Sequence, residues 1–162
     1  MGRDTTPATP ATRHLDERGV EYATHRYDYK ERGGAPHAAE CLGVAARLVV
    51  KTLVMRTDAG RRLLVLMHGD RHVSAKRLAR EVGARRVFAC TPDEAFKATG
   101  YVVGGISPFG TRTDLPIYAE SSIFEAPRVF INGGRRGLLL ELEPKALRQT
   151  LELHEVAVAS PD

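Results

Sequence analysis

Residues 49–67 read VVKTLVMRTDAGRRLLVLM, two apolar runs joined at Asp58-Ala59-Gly60. Strand-type runs broken by a short Gly-containing turn make a β-hairpin, with strands expected over 49–57 and 63–67. A second hairpin is expected where 128–131 and 138–142 flank Asn132-Gly133-Gly134. Two hairpins exclude an all-parallel sheet. Helical stretches interleave with the strands, so the expected fold is mixed α/β: a curved, partly closed, barrel-like mixed sheet with helices packed outside.

Local signals place the other elements. A helix over 10–18 stops at Gly19, a strand follows over 20–27, and a second helix over 37–42 ends at Gly43. Ser74 is the cap of a helix running through Val82, with Gly83 just past its end. After a short strand over 87–89, Thr91-Pro92-Asp93-Glu94 forms a capping box with Pro at the first helical position, and Gly100 closes that helix. A strand over 115–119 and a last helix from Pro144 to about residue 153 complete the chain. Residues 1–8, rich in Thr and Pro, are expected to be a loose tail, and 9–160 one domain.

At 162 residues and 43% hydrophobic content the chain can bury a core without staples. It has no apolar run of about 18 residues, so no membrane span is expected. The N-terminus lacks the apolar segment of a secretory signal. Cys41 and Cys90 have no CxxC partner, which argues against a disulfide framework or zinc site and for the reducing cytoplasm.

Three features carry candidate chemistry. Alternation along 49–57 puts Lys51 on one face with Val49, Leu53 and Met55. An ammonium there either snorkels to a sheet edge or looks into a wet pocket. In TGYVVGGISPFG (99–110), Gly104 and Gly105 interrupt an apolar run that begins at Tyr101. Such a pair makes a bulged turn, or bares backbone amides toward a ligand. The pairs Arg61-Arg62, Arg85-Arg86 and Arg135-Arg136 sit at element edges in a chain of net charge +4. They are either solvated turn residues or phosphate contacts. Walker, Rossmann, HExxH and GxSxG motifs are absent, and His68 and His72 have no third ligand. No metal or cofactor is expected.

The segments VVKTLV (49–54), TGYVVGGISPFG (99–110) and INGGRRGLLLEL (131–142), in this order, are similar to those of the YbaK/ProX family. These are free-standing trans-editing aminoacyl-tRNA deacylases related to the editing domain of bacterial prolyl-tRNA synthetases. The resemblance runs from about Leu15 to Leu153 and is strongest to the branch that deacylates Cys-tRNA(Pro). It implies the curved YbaK-like fold. It also maps the family lysine onto Lys51, the glycine loop onto Gly104, Gly105, Ile106, Ser107 and Pro108, and an early tyrosine onto Tyr27. Leu139 stands where close relatives carry an acidic residue, a departure that bears on fine specificity.

The implied partners are the acceptor end of a charged tRNA, with Arg135 and Arg136 as contacts, and prolyl-tRNA synthetase; neither a membrane nor DNA is implied. An aminoacyl ester is already activated, so orienting it and stabilising the oxyanion is enough. Amides of Gly104 and Gly105 would donate to the oxyanion, and Lys51 would hold a phosphate or polarise the carbonyl. The nucleophile would be water, a ribose hydroxyl or the thiol of a cysteinyl substrate. The competing reading is a module that grips tRNA or a synthetase without hydrolysing anything.

Overall fold

A computed structural model describes residues 6–161, so residues 1–5 of the expected tail, and Asp162, lie outside the described residues. Order begins early: Thr12 Oγ1 donates to the Pro7 carbonyl at 3.0 Å. Thr9 caps α1 (Pro10–Glu17) with a Thr9/Thr12 capping box and donates its hydroxyl to the Gly133 carbonyl at 2.5 Å. The chain start is thereby tied to the turn of the second hairpin.

The elements that follow are β1 (Ala23–Arg26), α2 (Gly34–Leu42), β2 (Val49–Thr57), β3 (Arg62–His68), α3 (Ala75–Val82) and β4 (Val87–Ala89). Then come α4 (Pro92–Thr99), β5 (Ile117–Glu120), β6 (Val129–Asn132), β7 (Leu138–Leu142), α5 (Lys145–Thr150) and β8 (Leu153–Val156). Both expected hairpins form, β2 with β3 and β6 with β7. The sheet order is β1-β7-β6-β2-β3-β5-β8, with β4 added on β2. Pairing is parallel for β2 with β6, β3 with β5 and β5 with β8. The sheet is mixed and not closed into a complete barrel.

The unbroken apolar run of β3 has a simple cause: the strand is buried on both faces. Leu64 and Leu66 join Ala11, Leu15, Ala95, Ala98 and Leu147 from α1, α4 and α5 in one core. Leu63, Val65 and Met67 join Leu78, Ala79 and Val82 of α3, with Val156 and Val158, in another. Helix α2 covers Val49, Phe130 and Leu139 in a third.

Three expectations are corrected. The last helix stops at Thr150, because Leu151 is extended (φ −130°, ψ 145°) and the chain turns into β8 beside β5. The strand expected over 20–27 is only Ala23–Arg26, since the Val20 amide still donates back to Leu15 O at 3.1 Å. The apolar run at Tyr101 is a turn, with the Gly105 N–H donating to Val102 O at 2.8 Å.

Candidate functional site

The site lies where β2 loses its neighbour. On the edge away from β3, β6 pairs only with Val49 and Val50, and β4 only with Met55 to Thr57. Between them Val54 O accepts from the Cys90 amide at 3.0 Å, and residues 51–53 have no strand beside them. A cavity of about 580 Å³ opens here, walled by β2, the 27–38 segment, Cys90 and the glycine loop.

Lys51 lines this cavity on the face it was expected to share with Val49, Leu53 and Met55. It is half-buried, and its ammonium donates to the Arg71 carbonyl. Burial pushes its pKa below the ordinary lysine value, and the carboxylate of Asp70 works the other way. An ammonium has three N–H donors, so two stay available to a ligand. Arg71 is itself fixed, because its Nη2 donates to Ser160 O at 2.7 Å.

The glycine loop is a turn over 102–105, with Gly104 at φ +90°. A Cβ there would come within 2.6 Å of the Tyr29 hydroxyl. The two peptide groups of the turn are held from the second hairpin. Arg136 Nε donates to Val103 O at 2.9 Å, and Asn132 Nδ2 donates to Gly104 O at 3.0 Å. In a trans peptide the N–H points opposite to the C=O, so the Gly104 N–H faces away from Arg136. It has no partner among the described residues, and Gly104 lies in the cavity wall.

Of the expected site residues, Lys51, Tyr27, Gly104 and Ile106 line one cavity. Gly105, Ser107 and Pro108 are buried behind it. The Gly105 amide is spent in the turn, and a Cβ on Gly105 would sit 2.9 Å from backbone atoms of Arg135 and Arg136. Its close approach is to the hairpin. Ser107 Oγ accepts from the Phe109 amide at 3.3 Å. Both arginines are exposed, but Arg136 also stacks 4.9 Å over the Tyr29 ring, so it braces the loop.

Other wall residues escaped the sequence reading. Asn132 reads as a turn residue, yet it anchors Gly104. His37 lies edge-on to Tyr27 at 6.0 Å and shares a 2.7 Å hydrogen bond with Asp28 O. Burial raises the Tyr27 pKa, with Tyr29 adding to the shift. Thr52 lines the cavity, and its buried Oγ1 has no hydrogen-bond partner. A threonine alternating with Val50 and Val54 is the same kind of signal that singled out Lys51. Leu139 forms buried apolar wall. Among the described residues, no three His, Cys, Asp or Glu side chains cluster as metal ligands would, and no helix is long and apolar enough to cross a membrane.

Comparison with known proteins agrees with this architecture. The family described as "Aminoacyl-tRNA editing domain" matches residues 33–150. "Putative Cys-tRNA(Pro)/Cys-tRNA(Cys) deacylase EbsC" of Enterococcus faecalis is 27% identical over 90% of this chain and 89% of its own length. A proline–tRNA ligase of Moorella thermoacetica is 33% identical over 51% of this chain, which is 14% of the ligase. Among solved structures, "a putative trans-editing enzyme for prolyl tRNA synthetase" superposes with a TM-score of 0.82 at 26% identity, covering 95% of this chain and 99% of that one. The chain belongs to the aminoacyl-tRNA editing domain family, the deacylases that hydrolyse mischarged tRNA.

Proposed function

We propose that the cavity at the open edge of β2 receives the aminoacylated 3′ end of a tRNA, and that Cys-tRNA(Pro) is its leading substrate. The observation that carries this reading is the Gly104 N–H, unpaired in a wall that also holds Lys51. A fixed donor that shares a cavity with a cation suits the charge that develops on an ester carbonyl oxygen under attack. Gly104 supplies the donor, and Gly105 makes the turn that aims it. Lys51 holds a phosphate or polarises the carbonyl; while protonated it cannot be the general base. Tyr27 and Ile106 shape the wall, Ser107 and Pro108 support the loop from behind, and Thr52 offers a hydroxyl with no internal partner.

The attacking group is water, a ribose hydroxyl or the substrate's thiol, so no protein nucleophile is required. The substrate assignment is supported by the printed name of the Enterococcus relative and by the largely apolar wall that includes Leu139. Likeness to part of proline–tRNA ligases supports action in the cytoplasm beside prolyl-tRNA synthetase. The test is a panel of charged tRNAs. Cysteine should be released from Cys-tRNA(Pro) faster than proline from Pro-tRNA(Pro). Equal rates would refute the substrate, and no release from any member would refute hydrolysis.

A further inference from the structure

Two of the arginine pairs, far apart in the chain, meet at one end of the sheet. Arg62 stands directly opposite Arg56 across the β2–β3 ladder, and Arg56 is opposite Phe88 of β4 on its other side. The Asp58 amide donates to Arg86 O at 3.0 Å, and the Arg86 amide donates back to Asp58 Oδ1 at 3.3 Å. That exchange holds the turn before β4 against the β2–β3 turn. Arg61 Nη2 reaches the Val82 carbonyl at 3.3 Å, so its side chain lies along the same end.

The charge of this surface is only partly neutralised. Glu94 lies 3.5 Å from Arg56 and 3.9 Å from Arg62. Among the described residues Arg61, Arg85 and Arg86 make no ion pair. Like charges placed opposite one another on a sheet are unfavourable, and Glu94 is the one carboxylate that an ion pair sets against these arginines among the described residues. A polyanion would offset that repulsion.

Phe88 narrows the choice of polyanion. The residue is 37% exposed, and its ring carries the Arg56 guanidinium 5.0 Å from its centroid. Exposed aromatic rings among arginines are how proteins hold unpaired bases. The next residues, Ala89 and Cys90, line the cavity, so this surface begins where the cavity ends.

We propose that the surface formed by Arg61, Arg62, Arg85, Arg86 and Phe88 is the track along which RNA reaches the cavity. The arginines take phosphates, and Phe88 stacks an unpaired base of the single-stranded 3′ end. The proposal rests on the function proposed above, but its test does not depend on turnover.

Binding of uncharged tRNA to the full chain is measured by fluorescence anisotropy over a range of salt. The variant Arg61→Gln/Arg62→Gln/Arg85→Gln/Arg86→Gln should bind about tenfold or more weakly. Its slope of log K against log salt should be shallower by about 0.9 for each duplex phosphate that the four arginines neutralise in wild type. The control Arg18→Gln/Lys145→Gln should match wild type. Phe88→Ala should weaken binding about tenfold for tRNA with an intact 3′ end, and not for tRNA trimmed of its unpaired nucleotides. In deacylation, both variants should raise KM and leave kcat unchanged. Unchanged affinity and slope in the quadruple variant would overturn the proposal. So would a loss of binding to anionic phospholipid vesicles with tRNA binding intact. If wild type binds tRNA through this surface yet releases no amino acid from any charged tRNA, the track is supported and the deacylase reading fails.

Discussion

Arg136 Nε donates to the Val103 carbonyl at 2.9 Å, and that contact fixes which way the Gly104 N–H points. The second hairpin thus governs the glycine loop from outside the cavity. The guanidinium expected to contact RNA also braces this loop, with the Tyr29 ring stacked beneath it at 4.9 Å.

Arg136→Met should therefore lower kcat for deacylation by about 10²-fold, the scale of misplacing a reacting group by an ångström. Arg136→Lys, which restores a donor, should recover part of that loss. Arg135, exposed with no such bond, should behave differently. Arg135→Gln should leave kcat intact and reduce the salt slope of tRNA binding by up to about one. Single-turnover kinetics and a binding titration on each variant separate the two roles; a kcat unaffected in Arg136→Met would remove the brace.

Lys51→Met keeps the apolar stem and deletes the charge. The kcat/KM should fall by about 10²-fold, while thermal stability is kept or raised. The pH dependence has a definite sign. Burial lowers the folded pKa of Lys51, so between that value and the ordinary lysine value the unfolded chain binds more protons. Stability of the wild type should then rise with pH through this window. The penalty of the buried charge is fully present below the folded pKa and relieved above it. Thermal melts of both proteins from neutral to alkaline pH should show wild type gaining on Lys51→Met. Parallel curves would contradict the assigned burial.

Gly105→Val tests the packing of the loop on the hairpin. Its first carbon would meet backbone atoms of Arg135 and Arg136 at 2.9 Å, where nothing can rotate away. Overpacking of this kind costs about 1–3 kcal/mol, which should lower Tm by about 5 °C. The sequence motif alone suggests an inactive but intact protein. A melting curve equal to wild type would restore that view.

Cys90 lines the cavity with its thiol pKa pushed up, first by burial and then by Glu94. Cys41 is exposed. Iodoacetamide at neutral pH should modify Cys41 first, and Cys90 should react appreciably only as pH rises above the ordinary thiol range. Peptide mass spectrometry over a pH series reads both rates. Faster labelling at Cys90 than at Cys41 would contradict the raised Cys90 thiol pKa.

What the sequence by itself determined is local. The caps at Ser74 and Thr91, both hairpins, and the face shared by Lys51, Val49, Leu53 and Met55 all follow from hydrogen bonds and periodicities spanning a few residues. The resemblance in three segments pointed to the family for the same reason, since motifs are contiguous. Only the tertiary structure decided the rest. Strand β8 has little apolar signal of its own and forms because β5 offers it an edge. The cavity exists because β6 and β4 leave the middle of β2 uncovered, which no stretch of β2 encodes. The Gly104 amide is aimed by an arginine 33 positions beyond Val103 in the chain. Parallel pairing and the direction of a single N–H depend on partners distant in sequence, and those contacts exist only once the chain has closed on itself.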